Sequence, residues 1–234
     1  MLTLRDVESG YGSTTVLHGI SREVAAGEVT VLLGRNGVGK TTLLRTVIGQ
    51  LSLRRGSITL ADHDIGGLRA YRRARLGLAY VPQGRDIFPG LSVRENLRVA
   101  VLGVRRRDWN ERLEQVLEEF PQLKDKLRAP GRSLSGGQQQ VLAIARALIT
   151  DPRALLLDEP SEGIQPSVVT EIAEMLVGVA RERDIAVLVA EQNLDFVQRV
   201  CTHVDVIDKG RLVAKVSVDE LMTTADLQHK YLGV

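Results

Sequence analysis

Short apolar runs alternate with longer stretches of helical period along most of the chain. The clearest runs are "VTVLL" at 29–33, "ALLLD" at 154–158, "IAVLVA" at 185–190 and "VDVI" at 204–207. They are short, β-branched or Leu-rich, and separated by the helical stretches. A strand reads this way when both its faces are buried, as in parallel sheets covered by helices. The pattern therefore predicts an α/β fold built on a mainly parallel sheet. "VDVI" leads through "DKG" into "RLVAKV", which predicts a hairpin and an antiparallel edge strand. The opening "LTLRDVES" is a second candidate for an antiparallel strand.

Between Gln83 and Gln138 the strand signals stop. Within "WNERLEQVLEEF", Trp109, Leu113, Val116, Leu117 and Phe120 recur at helical spacing and form one apolar stripe. The expectation is one domain over 1–234, with a core of about 1–83 and 139–234 interrupted by a helical lobe of about 84–138. No internal repeat or low-complexity linker divides it.

At 234 residues and 44% hydrophobic content the chain can bury a full core. Its 31 basic and 29 acidic residues leave a net charge of +2, which gives no reason to expect a nucleic-acid or anionic-membrane partner. The run Arg105 to Arg107 reads as solvated surface. No apolar stretch approaches the ~18 residues of a membrane span, and the start shows no secretory pattern. Cys201 is the single cysteine, so no internal disulfide forms; it reads as a core filler in a reducing compartment.

The candidate chemistry begins directly after "VTVLL". "GRNGVGKTT" comprises Gly34, Arg35, Asn36, Gly37, Val38, Gly39, Lys40, Thr41 and Thr42, and leads into a helical run. It matches the phosphate-binding P-loop in the strand, loop, helix context that the motif requires. Glycines let several N–H groups and a helix N-terminus converge on one anion. Lys40 supplies positive charge to the outer phosphates, and the Thr41 hydroxyl suits Mg²⁺. The run "ALLLDEP" then ends a buried strand in two acids, which need a compensating partner there. Asp158 is the candidate Mg²⁺ ligand, and Glu159 the candidate to orient or deprotonate an attacking water.

"LSGGQQQVLAIARAL" opens another helix with Ser135, Gly136, Gly137 and Gln138, a second anion-binding N-terminus in a chain that already has a P-loop. Two such ends in one chain suggest two chains sharing each nucleotide. With the P-loop and "LLLDEP", these residues make the whole chain resemble the ATP-binding cassette superfamily. The resemblance implies an ATPase using ATP and Mg²⁺, in which two domains pack head to tail and each LSGGQ covers the nucleotide of its partner. It further implies that Tyr11 of "GYG" stacks on adenine beside Val16. Gln83 of "YVPQGR" would contact Mg²⁺ and the attacking water, relaying nucleotide state to the helical lobe.

The run "VLVAEQN" departs from the superfamily, which usually ends this strand in a histidine that reaches the γ-phosphate. Here Gln192 stands in its place, and His18, His63, His203 and His229 all lie elsewhere. An amide donates a hydrogen bond but carries no proton near neutral pH, so Gln192 is expected to sense the γ-phosphate while Glu159 remains the base. After "LLLDEP" the chain reads "SEGIQPS", without the Asp usual there. These features, with the ending "KYLGV", resemble the ATPase subunits of importers for branched-chain amino acids, urea and short amides. "RNGVGK", "YVPQGR" and "EGIQPS" lean toward the urea type, whereas the ending and length fit the amino-acid type equally well. Such importers pair two different ATPase chains with two membrane permease subunits, fed by a solute-binding protein, at the cytoplasmic face of the membrane. The coupling helix of a permease would dock around Gln83 to Asn96. Rival readings are a cassette ATPase acting on DNA or ribosomes, and a nucleotide-binding module without turnover. The first would show coiled coils, zinc modules or a second cassette, and the second would lack Glu159.

Overall fold

The computed structural model describes residues 1–104 and 108–233. Arg105 to Arg107 and Val234 lie outside the described residues. Strands β1 (Leu2–Tyr11), β2 (Thr14–Val24), β4 (Arg55–Leu60) and β5 (His63–Asp64) form an antiparallel sheet in the order β2-β1-β4-β5. The larger sheet contains β3 (Val29–Leu33), β6 (Leu78–Val81), β7 (Ala154–Asp158), β8 (Ala186–Glu191), β9 (His203–Asp208) and β10 (Arg211–Ser217). Its order is β10-β9-β3-β8-β7-β6, parallel throughout except for β10.

All four of the sequence-predicted parallel runs are strands of this sheet, and their mainly apolar character has a direct cause. Successive side chains point to opposite faces, and each face has its own core. Val31 and Leu33, Leu155 and Leu157, and Val187 and Val189 face one core; Leu32, Leu156 and Leu188 face the other. The β9–β10 hairpin also forms as expected, turning through Lys209 (φ 42°) and Gly210 (φ 71°), both left-handed as a two-residue turn of this hand requires. The opening run is antiparallel, but it belongs to the smaller sheet and not to the edge of the larger one. The polar-rich β2 and β4 that complete that sheet carry little pattern.

Between β6 and α5 (Gly136–Leu148) lie α3 (Val93–Gly103), α4 (Trp109–Glu119) and two 3-10 turns at Pro121–Lys126 and Gly131–Ser133. On the α4 stripe Leu113, Val116, Leu117 and Phe120 are buried and Trp109 is half-buried against them. No helix among the described residues is long and apolar enough to cross a membrane. Cys201 is half-buried beside the core, and burial pushes its thiol up to about 12, which makes it a poor nucleophile.

The register sets up the site. Leu33 pairs with Glu191, Asp158 with Ala190 and Val81 with Leu157, so four adjoining parallel strands end nearly level. Their carboxyl ends carry the P-loop, the "EQN" turn, the "DEP" turn and Gln83, where open parallel sheets hold ligands.

Candidate active site

Strand β3 enters α1 (Lys40–Val47) through the glycine-rich loop. The helix is capped by Gly39 at φ 115°, with no side-chain cap, so side chains leave its first-turn N–H groups free to meet an anion. An added Cβ there would lie 3.3 Å from Leu17 Cδ2, a further reason for glycine. The Lys40 side chain is 3% exposed. Its Nζ donates to Gly34 O at 2.7 Å and Arg35 O at 3.2 Å, and lies 3.3 Å from Glu159 Oε1. The hairpin turn backs the loop: Gly210 N–H donates to Val38 O at 2.8 Å, and a Cβ on Gly210 would come within 1.7 Å of Val16 O. The Arg35 side chain turns away, donating to His229 O at 2.5 Å.

Asp158 is 1% exposed and accepts from Thr41 Oγ1 at 3.1 Å and Tyr80 OH at 3.3 Å. Burial raises its pKa above the ordinary carboxylate range, and the neighbouring Glu159 charge adds to this; the two hydrogen bonds only partly oppose it. A hydroxyl beside a costly buried carboxylate is a hard-oxygen donor set that fits Mg²⁺. Glu159 sits at φ 48°, unusual for a residue with a side chain. Its backbone N–H donates to Ala190 O at 2.9 Å and its Oε2 accepts from Gln83 Nε2 at 3.4 Å. Gln83 also donates to Glu162 Oε2 at 3.0 Å. Asn36, Lys40, Thr41, Thr42, Gln83 and Glu159 surround one cavity of about 230 Å³ with Gly37 and Gly39.

The three polar residues that close β8 meet three separate demands. Glu191, 1% exposed, accepts from Ser161 N at 3.0 Å, Ser161 Oγ at 2.5 Å, Gln192 N at 2.7 Å and Asn193 N at 2.9 Å. Asn193 caps α7 (Leu194–Val200), accepting from Asp195 N at 2.9 Å and Phe196 N at 3.3 Å. The Gln192 side chain is exposed and makes no hydrogen bond among the described residues. It does not line the cavity.

Ser135 and Gln138 cap α5 reciprocally, Ser135 N–H donating to Gln138 Oε1 at 3.1 Å and Gln138 N–H to Ser135 Oγ at 3.4 Å. Neither they nor Gly136 and Gly137 line the cavity. Tyr11, 44% exposed, closes β1, and half-buried Val16 lies on β2 next to the Leu17 that covers Gly39. The Tyr11 hydroxyl stands by Arg45 and holds its guanidinium pKa above the usual value. Sequence reasoning passes over Glu191, Glu162, Tyr80 and Arg73. Glu191 carries the same signal as Asp158, an acid closing a buried strand. Arg73 carries none, yet its buried guanidinium donates to the carbonyls of Thr46 and Val47 at the end of α1, at 2.9 and 2.6 Å.

An anion cradle at a helix N-terminus, a Thr–Asp pair beside it and a second carboxylate, Glu159, directly after that Asp define a P-loop nucleoside-triphosphate hydrolase. The ABC transporter family profile matches residues 17–162, and the chain belongs to that family. It is an ATP-binding, ATP-hydrolysing domain. The chain is similar to the high-affinity branched-chain amino acid transport ATP-binding protein BraG of Pseudomonas aeruginosa, at 37% identity over 233 residues that cover 100% of both chains. It is also 35% identical over 238 residues to the lipopolysaccharide export system ATP-binding protein LptB of Escherichia coli, covering 99% of this chain and 97% of that one. Among solved structures, CbiO1 of Clostridium perfringens, part of the ABC transporter complex CbiONQ, superposes with a TM-score of 0.84 at 28% identity, covering 98% of this chain and 93% of the other. A nucleotide-free ATP-binding cassette from an ABC transporter reaches a TM-score of 0.86 at 24% identity over 100% and 99% of the two chains, a likeness of fold.

Proposed function

We propose that the chain is the ATPase subunit of an importer for branched-chain amino acids or chemically related small solutes. The observation that carries this is the alignment with BraG, at 37% identity with both chains covered in full. LptB aligns over nearly the same span at 35%, so an export system is the competing assignment. Within importers, "RNGVGK", "YVPQGR" and "EGIQPS" favour a urea or short-amide solute as the second reading.

The uncapped start of α1 and Lys40 bind the phosphates of ATP, with Tyr11 and Val16 flanking the base. Thr41, Asp158 and Gln83 would hold Mg²⁺, which would supply positive charge against the outer phosphates. Glu159 takes the proton of the attacking water, with Gln83 holding its carboxylate. Gln192 donates to the γ-phosphate, and Ser135 to Gln138 cover the nucleotide of a second, different ATPase chain. The lobe over about 84–138 then meets one of two membrane permease subunits, which keeps the chain at the cytoplasmic face of the membrane and couples it to a solute-binding protein. The partners are proteins, not nucleic acid.

Uptake decides the assignment. Cells lacking this chain should lose uptake of labelled leucine at low concentration and regain it on complementation. Loss of urea or acetamide uptake instead selects the second reading. Normal uptake of all three with a defective outer envelope would overturn the importer.

A further inference from the structure

Three consecutive residues after β6 lie in the left-handed region: Gly84 at φ 84°, Arg85 at 74° and Asp86 at 52°. Glycine adopts this region freely, whereas each of the other two costs about 1 kcal/mol or more. Such a tract persists only where its surroundings impose it, and here the surroundings are identifiable. Arg85 Nη2 donates to Gly163 O at 3.2 Å and Glu162 O at 3.5 Å, and Nη1 donates to Gln139 Oε1 at 3.5 Å. The same guanidinium lies against Gly136, where an added Cβ would meet Nη1 at 3.1 Å. From the far end of α5, Arg146 Nη1 donates to Asp86 O at 2.8 Å, and its guanidinium stands 4.9 Å over the Phe88 ring.

The loop that carries Gln83 is thus held at both ends of α5. Arg85 and Gln83 also hold the same neighbour, because Gln83 Nε2 donates to the Glu162 carboxylate while Arg85 reaches the Glu162 and Gly163 carbonyls. None of the Arg85 bonds is short. Their value is geometric: one planar group with five donors bridges three separate segments, which a lysine ammonium on a flexible stem does not reproduce. A residue chosen only for a left-handed turn would be glycine or asparagine.

We propose that Arg85 is a positioning residue for ATP hydrolysis. It fastens the Gln83 loop both to the first turn of the signature helix and to the segment that follows Glu159, so that the Gln83 amide stays aimed at the Glu159 carboxylate. Movement of the signature helix is thereby passed to the hydrolytic carboxylate within one chain. The proposal rests on the role given to Gln83 above.

The test compares Arg85→Gly, Arg85→Ala and Arg85→Lys in the assembled transporter, with the partner ATPase inactivated at its own catalytic carboxylate. Glycine relieves the left-handed backbone while deleting the side chain. Arg85→Gly and Arg85→Ala should both lower kcat about tenfold or more with KM for ATP within about twofold, and Arg85→Lys should recover only part of the loss. Melting temperature should change little for Arg85→Gly, because relief of the left-handed backbone offsets the lost side-chain bonds, which separates folding from turnover. A double variant with Gln139→Ala should add little to the kcat loss of Arg85→Gly, since the Gln139 amide oxygen holds only Arg85, while the loss of its Nε2 bonds to Gly131 O and Leu134 O should appear in melting temperature. Full kcat in Arg85→Gly would show that the residue serves only the turn and overturn the proposal, as would a raised KM at unchanged kcat. Gln83→Ala is the control: if it keeps full kcat, the role of Gln83 itself fails, whatever Arg85 does.

Discussion

Lys40 Nζ lies 3.3 Å from Glu159 Oε1, with the two side chains only 3% and 8% exposed. Buried charges of this kind persist only when paired. The cation proposed for phosphate and the carboxylate proposed for water therefore neutralise one another in this conformation, and on that proposal a triphosphate must compete with Glu159 for Lys40. Glu159→Gln removes the competitor and the base together. ATP affinity by calorimetry should hold or rise while turnover in the full complex is lost, because an amide accepts no proton from water. Near-normal ATPase activity would sink the assignment of the base.

Lys40→Ala acts in the opposite sense on binding. On the proposed role it removes a charge that faces the phosphates in the bound ground state, so affinity should fall along with rate. It also leaves Glu159 buried without its cation, so the melting temperature should fall by more than a surface lysine substitution causes. Unchanged ATP affinity would remove Gly34 to Thr42 from the site.

Asp158 is a stability liability that its proposed function explains. Its pKa is raised in the folded chain, so folding favours the protonated form. The stability linked to this group is fully present below the unfolded aspartate value of about 3.9 and is lost as pH rises through the higher folded value. At neutral pH the ionised group therefore costs stability unless a cation answers it. Asp158→Asn should melt at a higher temperature than the natural chain in EDTA, and should lose both the stabilisation by Mg²⁺ with nucleotide and the ATPase activity. A lower melting temperature in EDTA would mean that its bonds to Thr41 and Tyr80 outweigh the burial cost.

What could be read from the sequence follows from how local each signal is. "VTVLL" into "GRNGVGKTT" declares a strand, a loop and a helix start within a few residues, and the structure has all three in that order. The smaller sheet is hard to read because β2 alternates buried and exposed residues irregularly, with register shifts against β1, and the strand on the other side of β1, β4, lies far along the chain. The Arg85 and Arg73 contacts are non-local too: nothing in "PQGRD" or "YRRAR" tells which carbonyls a guanidinium will meet. Glu191 was legible in principle, since it ends a buried strand as Asp158 does, but nothing in the sequence tells that Ser161, past the end of β7, donates to it.

That contact carries its own expectation. Glu191 uses both carboxylate oxygens to accept four donors, two from Ser161 and two from the backbone leading into Gln192 and Asn193. Glu191→Gln puts an amide NH₂ against N–H groups, leaving buried donors unanswered at about 1–3 kcal/mol each. The melting temperature should drop, and kcat should drop further than stability alone explains, because the turn that presents Gln192 loses its anchor. A variant that melts lower yet turns over normally at a permissive temperature would confine Glu191 to stability.

On the sequence pattern Gln192 stands where a histidine is usual, and its side chain, directly after the Glu191 that pairs with Leu33, is exposed and makes no hydrogen bond among the described residues, which leaves it free for the proposed donation to the γ-phosphate. A donor that matters mainly in the transition state costs roughly 10² to 10³ in rate when removed. Gln192→Ala should therefore lower kcat on that scale while ATP affinity by calorimetry stays near its natural value. Gln192→His should support turnover, since even neutral imidazole carries one N–H, and kcat should acquire a titration near the histidine pKa of about 6.5 that the natural chain lacks. Both variants must be measured with the catalytic carboxylate of the partner ATPase inactivated, because a competent partner site would otherwise mask the loss. Full activity of Gln192→Ala in that background, with Gln192→His showing no new titration, would mean that the side chain only ends a strand, and that Glu191 and Asn193 alone account for the polar turn.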